Sequence, residues 1–171
     1  GKFTGNEDDP IIEMPEQFIN GRIEDVSKVQ DIVCGYQATA LTIGGKVYMW
    51  GNTKACLNML DVDKADINNV KKVALSNYYA LLLLDDGTIS CPGGILNAER
   101  VVTSDGNKVK LLSYLKGKKV ADIAATKDCF IFLLEDGEVL VQGASRYGET
   151  DVPVLPAGEK LVSISAGANH I

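Results

Sequence analysis

Three glycine-cornered hairpin patterns restrict this chain to repeat architectures. They read LTIGGKVYMWGN (41–52), LLLLDDGTISCPGG (81–94) and FLLEDGEVLVQG (132–143). Gly87 follows Gly45 by 42 positions, and Gly137 follows Gly87 by 50. The segments ahead of the turns align as well: IVCGYQATALT from 32, VALSNYYALLLL from 73, IAATKDCFIFLL from 123 and ISAGANHI from 164. Gly35, Ser76, Thr126 and Gly167 thereby share one position, and Gly51, Gly93 and Gly143 share another six places after the turn. The longer middle step is read as an insertion near ERVVTSDGNKVK (99–110).

Each unit is an apolar run, a tight turn and a second apolar run. Gly44-Gly45, Asp86-Gly87 and Asp136-Gly137 are dipeptides that tolerate positive φ at both central positions, the chemistry of a two-residue antiparallel hairpin turn. LLLL and CFIFLL do not alternate with polar residues, so their strands are expected to be covered on both faces. Several strands per unit, at a period of forty to fifty residues, point to a β-propeller, in which each blade is sandwiched between its neighbours. Short helices are expected only around 53–60 and 110–116.

IVCGYQATALTIGGKVYMWGN resembles the repeat of the regulator of chromosome condensation family, with Ala38 where that repeat carries histidine and a loop one residue shorter. SISAGANHI resembles the start of the repeat and places His170 at the histidine position. GASRYGE (143–149) and GKFTGNEDDPIIEMPEQF (1–18) resemble its connecting segments. The second and third units depart from the pattern: Tyr79 and Cys129 replace the histidine, and Pro92 and Gln142 replace the tryptophan seen at Trp50. The resemblance implies an all-β propeller of RCC-type repeats, typically seven-bladed. Here it implies about three hairpin blades (29–69, 70–119 with its insertion, and 120–160), flanked by partial blades at 1–28 and 161–171. The expectation is therefore a piece of a longer polypeptide, or half of a ring completed by a second chain. Gly35, Gly45, Trp50, Gly51, Gly87, Gly93, Gly137, Gly143, Gly167 and His170 are the structural positions of the repeat.

No enzyme is legible. A nucleophilic triad needs a histidine base, and the single histidine, His170, is read as a structural turn residue. A calcium loop beginning at Asp61 would fail at Ala65, Asp66 and Lys72. Neither phosphate-loop motif is present, and four scattered cysteines with one histidine offer too few zinc ligands. No cofactor or metal is expected. Cys34 and Cys129 lie in apolar runs and are read as buried free thiols, which suits a reducing, intracellular compartment. The net charge of −6 disfavours nucleic acid, and no apolar run is long enough to span a membrane. One patch opposes the overall charge: Lys108, Lys110, Lys116, Lys118 and Lys119 form either a solvated loop or a contact for an anion or acidic partner.

The two-residue gap after Gly35, Ser76, Thr126 and Gly167 falls at the same rim of every unit. It holds Tyr36 and Gln37, Asn77 and Tyr78, Lys127 and Asp128, and Ala168 and Asn169. These residues vary while their surroundings stay apolar, so they are either solvated loops or a binding surface on a rigid scaffold; tyrosine, with Tyr147 a further candidate, is a favoured anchor there. The resulting expectation is a non-catalytic protein–protein interaction or scaffold module whose partners are proteins. Two alternatives stand beside it. The family resemblance implies guanine-nucleotide exchange on a Ras-like GTPase, and an open arc suits a structural subunit of a large assembly or virus particle.

Overall fold

A computed structural model describes residues 11–12, 26–94, 96, 101–103, 105–143, 148, 151–152 and 156–171. Tyr147, most of GASRYGE and most of the 1–28 segment lie outside the described residues. The strands are β1 (Ile11–Ile12), β2 (Val29–Cys34), β3 (Ala38–Ile43), β4 (Lys46–Asn52), β5 (Val70–Leu75), β6 (Ala80–Leu84) and β7 (Ile89–Ser90), then β8 (Val101–Thr103), β9 (Lys108–Val109), β10 (Val120–Ala125), β11 (Cys129–Leu134) and β12 (Val139–Gly143). They form three antiparallel sheets, ordered β1-β4-β3-β2, β5-β6-β7 and β10-β11-β12-β8-β9. Within each sheet the first hairpin repeats in register: Val29 faces Ile43, Val70 faces Leu84 and Val120 faces Leu134. The same register shift follows the first residue in all three. The chain is an all-β partial propeller.

The uninterrupted apolar runs have the predicted cause. In β6, Ala80 and Leu82 enter the core shared with the first sheet, where they meet Ala38, Ala40, Val47 and Met49. Leu81 and Leu83 point the other way, into the core shared with the third sheet, against Ile123, Phe132 and Leu134. β11 repeats this: Phe132 and Leu134 look back, while Ile131 and Leu133 look forward to Leu161 and Ile164. Strand side chains alternate faces, so a strand packed between two sheets has no polar side. Each fully buried leucine contributes about 1.5–3 kcal/mol.

Backbone hydrogen bonds stitch successive sheets. Val70 N–H donates to Gly45 C=O and Val120 N–H to Gly87 C=O, both at 2.9 Å. A Cβ on Gly45 would lie 2.1 Å from Asn68 O, so this turn must be glycine for contact between sheets as well as for its φ of 81°.

Four expectations need correction. Only Gly44-Gly45 is a two-residue turn with both φ positive. At the other two turns the glycine alone is left-handed, Gly87 N–H bonds Leu84 C=O at 3.0 Å and Gly137 N–H bonds Leu134 C=O at 2.9 Å. These are three-residue loops, Asp85–Gly87 and Glu135–Gly137, in which aspartate takes the ordinary φ and glycine supplies the bulge. The first helix, α1, spans Met59–Ala65 rather than 53–60, because the Asn52 carboxamide accepts from Lys54 N–H at 3.0 Å and Ala55 N–H at 3.3 Å and holds the preceding loop as a turn. The second, α2, is the short Leu111–Tyr114. Cys34 is exposed, whereas Cys56, Cys91 and Cys129 are buried, and all four are free thiols. The lone tryptophan, Trp50, is expected from its repeat position to be a core residue where the blade turns out; it is half-buried near the end of β4.

The insertion forms the β8–β9 hairpin, and β8 pairs with β12 of the third sheet (Val102 opposite Val141). The first sheet likewise takes its outer strand from upstream, Ile12 opposite Gly51. The second sheet keeps only a two-residue third strand, halted by Pro92, which lacks the N–H to continue a ladder. Asn58, fully buried, closes this sheet instead. Its Nδ2 donates to Ala80 C=O and Pro92 C=O, both at 2.9 Å, and its Oδ1 accepts Ala80 N–H at 2.8 Å.

Candidate functional site: an axial rim

The inner strands β2, β5 and β10 pack side by side, and each ends in the same tight turn. Gly35, Ser76, Thr126 and Gly167 donate their N–H to the carbonyl three residues on: Ala38 at 2.8 Å, Tyr79 at 3.0 Å, Cys129 at 2.9 Å and His170 at 2.8 Å. The turn is built in two ways. Ser76 Oγ accepts from Tyr79 N–H at 3.1 Å, and Thr126 Oγ1 accepts from Cys129 N–H at 3.0 Å. Gly167 carries no hydroxyl, and the exposed His170 ring lies over its α-carbon: an added Cβ would be 2.3 Å from His170 Cε1. Gly51 and Gly143 allow the following strands to approach the rim, since a Cβ there would lie 2.4 Å from Gln37 O and 2.3 Å from Asp128 O. A Cβ on Gly93 would instead meet the Asp61 carboxylate at 2.1 Å.

The four equivalent turns come to one place, each bringing one member of its rim pair. A cleft of about 620 Å³ is lined by the same three positions from each repeat, Cys34–Tyr36, Leu75–Asn77, Ala125–Lys127 and Ala166–Ala168. Tyr36, Asn77, Lys127 and Ala168, the first member of each pair, face this mouth; Gln37, Tyr78, Asp128 and Asn169 do not line it. A belt of main-chain bonds joins the first members: Asn77 N–H donates to Lys127 C=O at 3.0 Å and Lys127 N–H to Ala168 C=O at 2.9 Å. Among the described residues the belt stops there, with no bond from Tyr36 N–H to Asn77 C=O.

Tyr36 is 80% and Tyr78 51% exposed. The sequence reading missed Leu57, which is 53% exposed and donates its N–H to Tyr78 C=O at 2.7 Å. Its signal was the misplaced helix boundary: once 53–58 is a turn, Leu57 has no helical core face to enter. The lysine patch divides. Lys118 pairs with Glu138 at 2.8 Å and Asp136 at 3.6 Å and lies 4.2 Å over the Tyr114 ring, whose hydroxyl donates to Glu138 at 2.6 Å. The hydrogen bond to Glu138 holds the Lys118 pKa above its ordinary value and, from the other side, raises that of Tyr114. Lys108, Lys110, Lys116 and Lys119 are exposed. No group of three or more His, Cys, Asp or Glu residues able to hold a metal occurs among the described residues.

No family model matches the chain. It is 31% identical over 134 residues, 69% of this chain, to the E3 ubiquitin-protein ligase HERC2 of Homo sapiens, and equally so to that of Mus musculus. It spans about 3% of the length of these curated relatives. Solved structures share the fold: the CRINKLY WD40 ectodomain of the Arabidopsis thaliana receptor kinase ACR4 has a TM-score of 0.55 at 14% identity, covering 81% of this chain and 44% of that one. Human WBSCR16 gives 0.52 at 16% identity, covering 72% and 36%. The entire ectodomain of the Physcomitrella patens receptor kinase CR4 gives 0.53 at 16%, covering 82% and 34%.

Proposed function

We propose that this chain is a non-catalytic protein-interaction module, an RCC-type propeller segment that holds a protein partner on its axial rim. The observation that carries this is the convergence of four equivalent turns on one mouth, with differing side chains on an invariant frame. Rigid strands position variable loops, the usual arrangement of a recognition surface. Tyr36, Tyr78 and Leu57 supply exposed anchors beside it, and tyrosine contributes large contact area at low entropic cost. The recurrent G-x-x-H-like turn and its glycine-cornered hairpin support the RCC-type assignment, as does the similarity to part of HERC2.

A pull-down from lysate with the Tyr36→Ala/Tyr78→Ala double variant is expected to lose partners that the native chain retains. Identical retention by both would refute the rim. Nucleotide exchange, the alternative that the family resemblance implies, makes a separate prediction. The present reading expects no faster nucleotide release from a panel of Ras-like GTPases.

A further inference from the structure

We infer that the axial cleft receives a partner loop through a carboxylate side chain, with Lys127 as its counter-charge and Tyr36 as its apolar contact. The inference rests on the rim reading and names the chemistry recognised there. The chain carries a net charge of −6, yet the cleft wall contains no Asp or Glu. Its single ammonium is Lys127, which is exposed and has no ion pair among the described residues.

The serine and threonine hydroxyls and two main-chain amides of the wall are committed elsewhere. The Ser76 and Thr126 hydroxyls accept their own turn amides. Asn77 N–H and Lys127 N–H are spent in the belt. What remains open is a lysine head, the Asn77 carboxamide, the Tyr36 N–H and the Asn77 carbonyl at the break in the belt, and the broad Tyr36 ring with its hydroxyl; of these only the lysine carries a charge. A cleft of about 620 Å³ falls within the range of roughly 300–1,000 Å³ typical of ligand sites. That is room for the tip of a loop, whose main chain can meet the open donor and acceptor. A single cation does not suit nucleic acid, whose affinity is built on neutralising many phosphates. It does suit one acidic side chain, where charge complementarity sets specificity.

The test pans the full chain against a phage-displayed library of disulfide-closed random loops. Enriched loops are expected to carry Asp or Glu at one fixed position, and panning against Lys127→Glu is expected to move the preference to Lys or Arg. Synthetic loops selected on the native chain should bind Lys127→Glu about tenfold or more weakly, bind Tyr36→Ala more weakly, and bind Lys116→Glu, the same charge change outside the cleft, unaltered. Unchanged far-ultraviolet dichroism and melting temperature confirm that each variant is folded. Enrichment without acidic bias, or equal affinity for Lys127→Glu, overturns the inference; if Tyr36→Ala still weakens binding, the rim reading survives. Inorganic phosphate binding as tightly as the loops would show a free-anion site and also overturn it. No enrichment at all counts against both readings.

Discussion

Several side chains here are explained by what touches them within one or two turns of chain. His170 and Gly167 form a unit: the ring occupies the space that any side chain at 167 would need. Where the histidine position holds Tyr79 or Cys129, a hydroxyl at Ser76 or Thr126 takes over the turn amides. Cysteine reactivity follows burial at the same scale. Desolvation disfavours the thiolate and pushes Cys56 and Cys91 up to about 11, while Cys34 lies open on the outer face of β2. Brief treatment of the native chain with iodoacetamide at pH 7 should therefore give one adduct, at Cys34, and four adducts after denaturation; mass spectrometry of peptides would locate them. Labelling of Cys129 or Cys91 at the same rate as Cys34 would contradict the packing.

At the level of turns and strands, short polar contacts decide how hairpins close. Asp86 accepts from Thr88 Oγ1 at 2.6 Å and Thr88 N–H at 2.9 Å, and these two bonds hold its pKa below the usual 3.8. Asp105 is lowered in the same sense, first by the Thr103 hydroxyl and then by Asn107 N–H. A carboxylate whose folded pKa is depressed adds stability that is present above its unfolded value and is lost as pH falls through the folded one. Lys118, raised by Glu138, has the opposite sign: its contribution is present below 10.5 and is lost as pH rises through the folded value. Thermal melts between pH 2 and 5 should show Asp86→Asn losing less stability on acidification than the native chain, with the two curves converging at the acid end. A constant offset across that range would remove the role assigned to the turn carboxylate.

Across the whole molecule, the repeats are joined by matching positions on successive inner strands. Asp122 on β10 receives Lys72 Nζ from β5 at 2.6 Å on one oxygen and Ile164 N–H at 3.1 Å on the other. One carboxylate thus ties three consecutive repeats, and it is mostly shielded from water, with 14% of its side chain exposed. A double-mutant cycle with Lys72→Met and Asp122→Asn, followed by urea unfolding, should return a coupling of about 1 kcal/mol, above the few tenths common for open surface pairs. A coupling indistinguishable from zero would make the pair incidental. The face of β2 that no sheet covers among the described residues shows what stacking provides. Ile32 is 59% exposed, while its counterparts Val73 and Ile123 are 1% and 0% exposed.

The repeat spacing, the hairpins and the two-sided burial of β6 and β11 could all be read from residue order, because a period and a continuous apolar run are properties of a linear string. The rim pairs were also legible, since equivalent positions in a repeat must occupy equivalent places. What the string did not carry was anything set by contact between distant segments. Asn58 looks like an ordinary loop amide until Ala80 and Pro92, more than twenty and thirty residues on, turn out to need its donors and acceptor. Cys34 lies in an apolar run as buried Cys129 does and differs because, among the described residues, no sheet lies against it. Whether aspartate or glycine takes the left-handed place in a turn, and which member of each rim pair reaches the cleft, depended on how neighbouring blades close around an axis. Burial is a relation between surfaces, and surfaces exist only once the chain has folded.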